Sequence, residues 1–431
     1  MRDVSLWRDL LGVEKTVVEK VEYDDDGGVL VARVRPASRA RNRCGVCGKR
    51  CPGYDSGTGR RRWRTLDFGA VMAFLEADSP RVACPAHGVV VAQVPWARHG
   101  AGHTRAFDDQ AAWLATRSSK TTVTELMRVA WRTVGSIVAR VWEDAAKDDR
   151  FDGLARIGID EISYKKGHKY IMVVVDHDRR RMVWAAPGRD SATVRGFFDL
   201  LGPARCALIT HVSADGADFI DSVVAEKCPD AVRVADPFHV VQWATAALDE
   251  VRREAWNDAR RQARSEPARP RGRPPADAAP RPGHERAAAL KGARYSLWKN
   301  PDNLTGHQTV KLRWIAETDP RLYRAYLLKE GLRLIFQMPL PAAADALERW
   351  VAWARRCRIP AFVKLQKSIV KHRRRILASI EHRLSNGLIE STNTKIRLIT
   401  RQAFGFHSPQ PLIAMAMLTL GGYRPNLPGR K

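Results

Sequence analysis

The sequence contains no long apolar segment. Within its 431 residues, no run approaches the roughly 18 consecutive apolar residues of a membrane-spanning helix. The N-terminus also lacks the apolar stretch of a secretory signal peptide. We therefore expect a soluble intracellular protein. The chain is too long for one ordinary core, so two to four domains are expected.

Acidic residues are scarce relative to basic ones. Asp and Glu together number 47 against 73 for Lys and Arg, which gives a formal net charge of +26. A chain this cationic attracts polyanions along much of its surface. Nucleic acid is the leading candidate partner, ahead of a membrane surface. We therefore expect a cytoplasmic protein that associates with the nucleoid and has no membrane partner.

Cysteine is also scarce, and its placement is uneven. Four of the seven cysteines lie in the first hundred residues, which indicates a metal site in a reducing compartment and not a disulfide framework. Cys44-x2-Cys47 is followed, 36 residues later, by Cys84-x2-His87, and these two pairs offer the ligands that tetrahedral zinc requires. Cys51 could replace one of these four ligands. Buried cysteines in a small β module are the metal-free alternative.

The periodicity of the sequence changes near residue 104. Residues 27 to 35 alternate as a half-buried strand does, and further strand-like pieces follow, so a small zinc-binding β module is predicted over residues 1–103. Residues 104–148 are helical in period, with a short break around "VAWRT". This pattern resembles a helix-turn-helix, whose second helix would enter a major groove from Thr133 onward, beside Arg132. Helical hairpins without a DNA role are the alternative.

The middle of the chain predicts a mixed sheet. Residues 151–245 read as three consecutive strands, a helix, a strand, a helix and a strand that runs into a long helix, which is the order of the ribonuclease-H-like fold. Residues 246–380 predict an all-helical insertion with a flexible basic loop at 265–285. Residues 381–431 supply the final helix and a tail. The expected fold class is therefore α/β, a ribonuclease-H-like mixed sheet interrupted by helices and preceded by the zinc module and the helix-turn-helix.

Three carboxylates occupy comparable places in this arrangement. Asp160 ends the first strand of the sheet, Asp215 ends the fourth, and Glu390 opens a late helix. The ends of the first and fourth strands of a ribonuclease-H-like sheet lie side by side, and a helix packed across them can add a third carboxylate. Such a cluster suits Mg²⁺, and two ions would serve phosphoryl transfer. Each acid also has a simpler interpretation. Asp160 could end a strand beside Glu161, Asp215 could be a turn residue, and Glu390 could stabilise the helix dipole after Asn386.

The late helix has one apolar face and one polar face. Its apolar positions follow steps of three and four residues: Ile389, Thr392, Ile396, Ile399 and Ala403. This spacing turns Glu390, Asn393 and Arg397 to an adjacent polar face. That face could meet a metal ion through Glu390 and DNA phosphates through Arg397 and Arg401.

Basic clusters supply further candidate DNA contacts. Two clusters stand out along the chain: Arg60, Arg61, Arg62, Trp63 and Arg64, and then Lys371, Arg373 and Arg374. They could bind phosphates without reading sequence, or they could form a solvated charged surface. In the basic loop, "PRGRP" resembles the core of an AT-hook, in which Arg271 and Arg273 would lie in a narrow minor groove. A solubilising linker is the favoured interpretation of that loop.

Four stretches, "GIDE", "SADGADF", "VADPFHVV" and "NGLIESTNTKIRLITRQAFGF", resemble the bacterial insertion-sequence transposases of the ISL-three family. The resemblance covers nearly the whole chain and implies a zinc module, a helix-turn-helix and a DDE catalytic domain split by a helical insertion. It implies that Asp160, Asp215 and Glu390 form the DDE triad. Asp236 and His239, in "DPFH", would support the site without joining the triad. A strand-end histidine satisfied by backbone is the alternative for His239.

One position departs from the family pattern. The second zinc clip of the family usually ends in cysteine, whereas "CPAH" offers His87 here. Histidine is a competent zinc ligand, so we expect an altered site that still binds zinc.

These features together predict a DNA transposase. The zinc module and the helix-turn-helix would bind the terminal inverted repeats, and a two-Mg²⁺ site would hydrolyse the end to expose a 3′-hydroxyl that attacks target DNA. The sequence has no positioned Ser or Tyr nucleophile motif, which fits a reaction without a covalent intermediate. Because two ends of double-stranded DNA must be held together, we expect a homodimer or a larger assembly. The alternatives are a structure-selective nuclease on the same fold and a DNA-binding regulator derived from a transposase.

Overall fold

The computed structural model describes residues 4–146, 149–214, 218–266 and 281–430. Three of the sequence-predicted site residues, Asp215, Arg271 and Arg273, lie outside the described residues.

The N-terminal part consists of two small sheets. Its elements are helix α1 (Val4–Leu10) and strands β1 (Thr16–Asp24), β2 (Val29–Pro36), β3 (Gly53–Asp55), β4 (Arg60–Arg64), β5 (Met72–Asp78), β6 (Arg81–Cys84) and β7 (Gly88–Val91). One sheet has the order β1-β2-β5-β4 and the other β3-β6-β7. The first sheet packs around Trp63 and Trp96, whose rings meet edge to face with centroids 5.5 Å apart. The predicted β module is therefore observed as two sheets with separate cores.

Three helices follow this module. They are α2 (Arg105–Ala115), α3 (Lys120–Met127) and α4 (Trp131–Ala145). Thr104 and Ser119 cap α2 and α3 by accepting bonds from backbone amides, as their side-chain oxygens are suited to do. Arg128 ends α3 in the left-handed conformation, with φ of 51°. The short break between α3 and α4 falls at the predicted position.

The central sheet has five strands in a mixed arrangement. Its elements are β8 (Arg156–Lys165), β9 (Lys169–Asp176), β10 (Arg181–Pro187), α5 (Ser191–Leu201), α6 (Pro203–Cys206), β11 (His211–Ala214), α7 (Asp218–Lys227) and β12 (Val232–Ala235). The strand order is β10-β9-β8-β11-β12. The first three strands are antiparallel, whereas β8, β11 and β12 are parallel to one another. The predicted order of strands and helices is observed, with the short α6 as an addition.

Register in the parallel half of the sheet aligns the last parallel pairs of its three strands. Ile159 of β8 pairs with Ala214 of β11, which pairs in turn with Ala235 of β12. Asp160 and Asp236 are the next residues after Ile159 and Ala235 in the sequence. Strand β8 itself continues to Lys165 against β9, so Asp160 follows the last parallel pair without ending its strand, whereas Asp236 follows the end of β12.

The rest of the chain is helical. Its elements are α8 (Pro237–Ser265), α9 (Pro282–Lys291), α10 (Arg294–Trp298), α11 (Gly306–Thr318), α12 (Pro320–Ile335), α13 (Leu340–Arg356), α14 (Pro360–Lys371), α15 (Arg373–His382), α16 (Gly387–Gln402) and α17 (Pro409–Leu420). Helices α8 to α15 share a core of their own. The prediction of a loop over 265–285 is wrong at its end, because α9 begins at Pro282 and buries Gly283 against α8.

Helices cover both faces of the central sheet. Val194 and Phe197 of α5 and Ile220 of α7 pack on one face. On the other face, Ile389 and Ile396 of α16 pack against the sheet together with residues of α17. The late helix therefore lies on the sheet with its predicted apolar face inward.

Candidate active site and metal centres

The four predicted zinc ligands lie together in the N-terminal part. Cys44 and Cys47 come from the segment between β2 and β3, Cys84 ends β6, and His87 lies in the turn before β7. The ligand atoms of all four lie within 4.8 Å of one another. Cys51 is not one of this group, and its thiol instead donates to the Lys49 carbonyl at 3.4 Å.

The spacing of these atoms fits zinc. The Sγ atoms of Cys47 and Cys84 are 3.8 Å apart, and His87 Nδ1 lies 3.5 Å from Cys84 Sγ and 3.7 Å from Cys44 Sγ. In a tetrahedral site, zinc bonds of about 2.3 Å to sulfur and about 2.0 Å to nitrogen place two sulfur ligands about 3.8 Å apart and a sulfur and a nitrogen ligand about 3.5 Å apart. Burial raises the pKa of the Cys84 thiol, but hydrogen bonds from the Ala86 amide and from Cys44 outweigh it and lower that pKa to about 7. A thiolate, the form that binds zinc, is therefore accessible at neutral pH.

A second constellation forms where α8 and α16 begin. The Asp236 carboxylate caps α8, since one oxygen accepts bonds from the backbone amide of His239 at 3.3 Å and from His239 Nδ1 at 2.8 Å. The other oxygen accepts a bond from the backbone amide of Asn386 at 3.1 Å. The Asn386 carbonyl in turn accepts the amide of Glu390 at 2.8 Å in the first turn of α16. One buried carboxylate therefore holds the starts of two helices together.

This arrangement brings Glu390 next to Asp236 and His239, with one ligand atom from each within 4.8 Å of the others. Burial raises the pKa of Glu390, and the negative charge of Asp236 raises it further. Burial also acts to raise the pKa of Asp236, but the bonds from His239 and Asn386 outweigh it and hold that pKa below its usual range. A cation at this position would favour the ionised form of both carboxylates.

Asp160 is joined to the same helix by a different residue. Asn393, one turn after Glu390, donates from Nδ2 to Asp160 Oδ2 at 2.8 Å. Asp160 Oδ1 accepts the backbone amide of Glu161 at 2.8 Å, while the Glu161 carboxylate pairs with Arg189 at 2.8 Å. Helix α16 therefore contacts β8 at Asp160 and the end of β12 at Asp236. The prediction that Asp160 ends its strand is wrong, because β8 continues to Lys165 through its pairing with β9.

Comparisons with known proteins identify the family. A model of the ISL3 catalytic domain, described as "Transposase", matches residues 157–416. The "Helix-turn-helix domain of transposase family ISL3" matches residues 92–142, and the "zinc-finger of transposase IS204/IS1001/IS1096/IS1165" matches residues 40–87. The chain belongs to the ISL3 family of transposases. The predicted resemblance is confirmed, and the protein is a DNA transposase with a helix-turn-helix DNA-binding domain and a DDE catalytic domain.

Individual relatives match over almost the whole chain. The transposase for insertion sequence element IS1557 of Mycobacterium tuberculosis (strain ATCC 25618 / H37Rv) is 64% identical over 436 residues, covering 100% of this chain and 98% of the relative. The transposase for insertion sequence element IS1001 of Bordetella parapertussis is 26% identical over 414 residues, covering 95% of this chain and 96% of the relative. The similarity therefore spans all parts of the transposase.

The first basic cluster is largely structural in this transposase. Trp63 is only 2% exposed and Arg64 is buried in an ion pair with Asp67, so neither offers a surface to DNA, contrary to the prediction. Arg61 donates to the carbonyl of Ala101 at 2.7 Å. The other two arginines, Arg60 and Arg62, are exposed, but both form ion pairs with Glu76.

Other predicted DNA contacts lie on the surface. Arg132 is exposed in the first turn of α4, next to the half-buried Thr133. The second basic cluster lies where α14 ends and α15 begins, and two of its members pair with acids: Lys371 with Asp218 and Arg373 with Glu348. Arg374 has no ion pair within the described residues. The exposed arginines of α16, Arg397 and Arg401, likewise have none there.

The position of Asn386 was not predicted. The sequence offers it as a helix cap, but its side chain makes no capping bond, is fully buried, and has no hydrogen-bond partner within the described part of the chain. Its backbone amide, which binds Asp236, carries the interaction instead. No local pattern reveals a bond across 150 residues of sequence. Separately, no helix of the described residues has the length and apolar character to cross a membrane.

Proposed function

We propose that Asp160, Asp215 and Glu390 hold the divalent ions of the transposase, and that the ions are Mg²⁺. The observation that carries this proposal is the contact of α16 with two strands of the sheet, through Asn393 to Asp160 within β8 and through Asn386 to Asp236 just after β12. Carboxylate oxygens form the hard ligand set that Mg²⁺ prefers. Two ions bound there would activate the attacking water or 3′-hydroxyl and stabilise the leaving oxygen.

The strand order supports a ribonuclease-H-like interpretation of the central sheet. The first strand, β8, lies beside the fourth, β11, with the second and third strands on its other side. In this arrangement Ile159, the residue before Asp160, pairs with Ala214, the last residue of β11. We propose a zinc module over 1–103, a helix-turn-helix over 104–148, and a catalytic domain over 151–245 and 381–431 that is interrupted by the helical insertion.

Asp236 and His239 act as positioning residues in this proposal. Both oxygens of Asp236 already accept hydrogen bonds from protein groups, which leaves them poorly suited to replace a triad member. The bond from His239 Nδ1 fixes the proton on that nitrogen and leaves Nε2 as the acceptor of the neutral ring. Together, these bonds hold the first turn of α16 and therefore Glu390 in place.

DNA binding is assigned to the N-terminal parts of the chain. The Cys₃His group would bind structural zinc and fix the segment between β2 and β7. Helix α4 would enter a major groove of the terminal inverted repeat with Arg132 and Thr133 in its first turn. On α16, Arg397 and Arg401 would bind phosphates close to the cleaved position. We propose a homodimer or larger assembly on DNA, since two ends must be held, and a location at the nucleoid.

Strand transfer in vitro tests the proposed triad. With Mg²⁺ and a transposon end, Asp160→Ala, Asp215→Ala and Glu390→Ala should abolish cleavage and joining while DNA binding in a mobility-shift assay is retained. Glu381→Ala is the matched control, because Glu381 is an exposed acid at the end of α15. Full cleavage and joining by any of the three triad variants would show that the site is wrongly assigned. Cleavage without joining by the wild type would favour a nuclease.

A further inference from the structure

Phe404 is unusually exposed for an aromatic residue. Its side chain is 89% exposed, more than that of any other large apolar residue in the described ranges. It directly follows α16, the helix that carries Glu390. Phe406, two residues later, instead packs against the cluster between α16, α17 and the sheet. The two phenylalanines of this exposed segment are therefore placed differently, with one ring against the fold and the other in solvent.

The backbone at Phe404 also disfavours a bulky residue. The amide of Phe404 donates to the carbonyl of Arg401 at 3.0 Å, and that of Gly405 donates to the carbonyl of Thr400 at 2.9 Å. These two bonds form a Schellman motif, in which the residue after the helix adopts a left-handed conformation and is usually glycine. Phe404 occupies that position with φ of 55°. Phe404 therefore adopts the unfavourable left-handed conformation although its ring is not buried in the fold.

The nearest charged side chains on this face are basic. Glu390, Asn393, Arg397 and Arg401 follow one another at steps of three, four and four residues, so they share one face of α16. Phe404 comes three residues after Arg401 and continues this series. Both arginines are exposed and have no ion pair among the residues described. This surface offers phosphate-binding groups followed by an aromatic ring.

We propose that Phe404 stacks on an unpaired base of the DNA that is bound along α16. This inference rests on the proposed function and adds a feature of the substrate, a base displaced from pairing near the cleaved end. Aromatic side chains stack on any base because every base has a π-face, and flanking arginines neutralise the backbone. Glu390 and Phe404 are separated by 14 residues, and the 12 that reach Gln402, the end of α16, span about 18 Å of helix. The stacked base therefore lies within about six nucleotides of the cleaved phosphate.

Fluorescence of 2-aminopurine tests this proposal directly. The full-length protein is titrated, with Ca²⁺ in place of Mg²⁺ to prevent cleavage, against a paired duplex and the same duplex with an unpaired 2-aminopurine near its end. Stacking on Phe404 quenches the fluorescence. Phe404→Ala should weaken binding of the unpaired probe by about 5- to 140-fold and leave binding of the paired duplex nearly unchanged, as expected for one base–aromatic stack. Phe404→Trp should retain the quenching.

Two further variants separate DNA stacking from a structural role. Leu398→Ala is the matched control, because Leu398 is a 62% exposed apolar residue of the same helix and should leave both affinities unchanged. Phe404→Gly should lose the quenching while its melting temperature stays equal or rises, since glycine suits the left-handed position. A fall in the melting temperature of Phe404→Gly would overturn the proposal, because it would show that the ring stabilises the fold. An equal loss of affinity for both probes in Phe404→Ala, or a variant that changes only the sedimentation of the protein, would overturn it as well. Unaltered cleavage by the triad variants would refute the catalytic assignment but would leave this measurement intact.

Discussion

Replacing Asp236 by alanine tests how α16 is held in place. The substitution removes the cap of α8 and the bond to the Asn386 amide, 150 residues away in the sequence. It also releases the His239 ring, whose Nδ1 is 2.8 Å from the Asp236 carboxylate. Asp190→Ala is the matched control, because Asp190 caps α5 in the same way and makes no comparable bond to a distant segment among the residues that the structure describes.

The magnitude follows from the contacts that each variant loses. Loss of a helix cap costs about 0.5–2 kcal/mol of the free energy of unfolding. Asp236→Ala additionally leaves the amide of Asn386, a fully buried residue, without its acceptor, which costs about 1–3 kcal/mol. We therefore expect about 2–5 kcal/mol for Asp236→Ala and about 1 kcal/mol for Asp190→Ala, as measured by urea unfolding at neutral pH.

Activity should separate the two variants more sharply than stability. Once Asp236 is lost, the first turn of α16 is free to shift, and a displacement of Glu390 by about 1 Å can cost about 100-fold in rate. Asp190→Ala should retain the wild-type cleavage rate, because Asp190 lies at the exposed start of α5. If both variants lose the same stability and cleave at the wild-type rate, the bond between Asp236 and Asn386 does not position the catalytic helix.

Two further predictions concern the N-terminal half. Cys47→Ser and His87→Ala should abolish zinc retention, as measured by elemental analysis after gel filtration, whereas Cys51→Ser should retain the metal. If His87→Ala retains zinc and Cys51→Ser loses it, Cys51 and not His87 is the fourth ligand. For His103, burial and then the charges of Arg140 and Arg64 lower the pKa to about 4. The unfolded state, with a histidine pKa of about 6.5, therefore binds more protons, and stability should fall by about 2–3 kcal/mol as pH drops from 6.5 to 4. His103→Gln should not show this loss of stability between pH 6.5 and 4. The same dependence of the unfolding free energy on pH in the wild type and in His103→Gln would contradict the prediction.

Local patterns in the sequence predicted much of the fold. The three-and-four spacing of Ile389, Thr392 and Ile396 predicted the buried face of α16, and these residues are buried. The two Cys-x2 clips predicted a four-ligand group because the chemistry of zinc restricts both residue type and spacing. Such patterns are informative because each one is repeated within a single element or is imposed by one ion.

Contacts between distant segments could not be predicted in this way. Strand β4 alternates, so Arg61 and Trp63 share one face, but alternation does not say which face is buried. The tertiary structure buries Trp63 against Trp96, and Arg64 at the strand end is covered through its pair with Asp67. No pattern in the sequence predicts the bond between Asp236 and Asn386 either, because each residue alone fits an ordinary helix start.

Helix α17 shows why predicted domain boundaries do not separate independent cores. Its sequence, "PLIAMAMLTL", is apolar on more than one side, as expected of a helix buried between two partners. Leu412 and Met417 pack with α16 on the central sheet, whereas Ala414 and Leu418 pack among the helices of the helix-turn-helix. One C-terminal helix thus completes both cores. The orientation of α4, the proposed recognition helix, relative to the central sheet is therefore fixed by buried packing, which would couple the DNA end bound by α4 to the acids proposed to cut it.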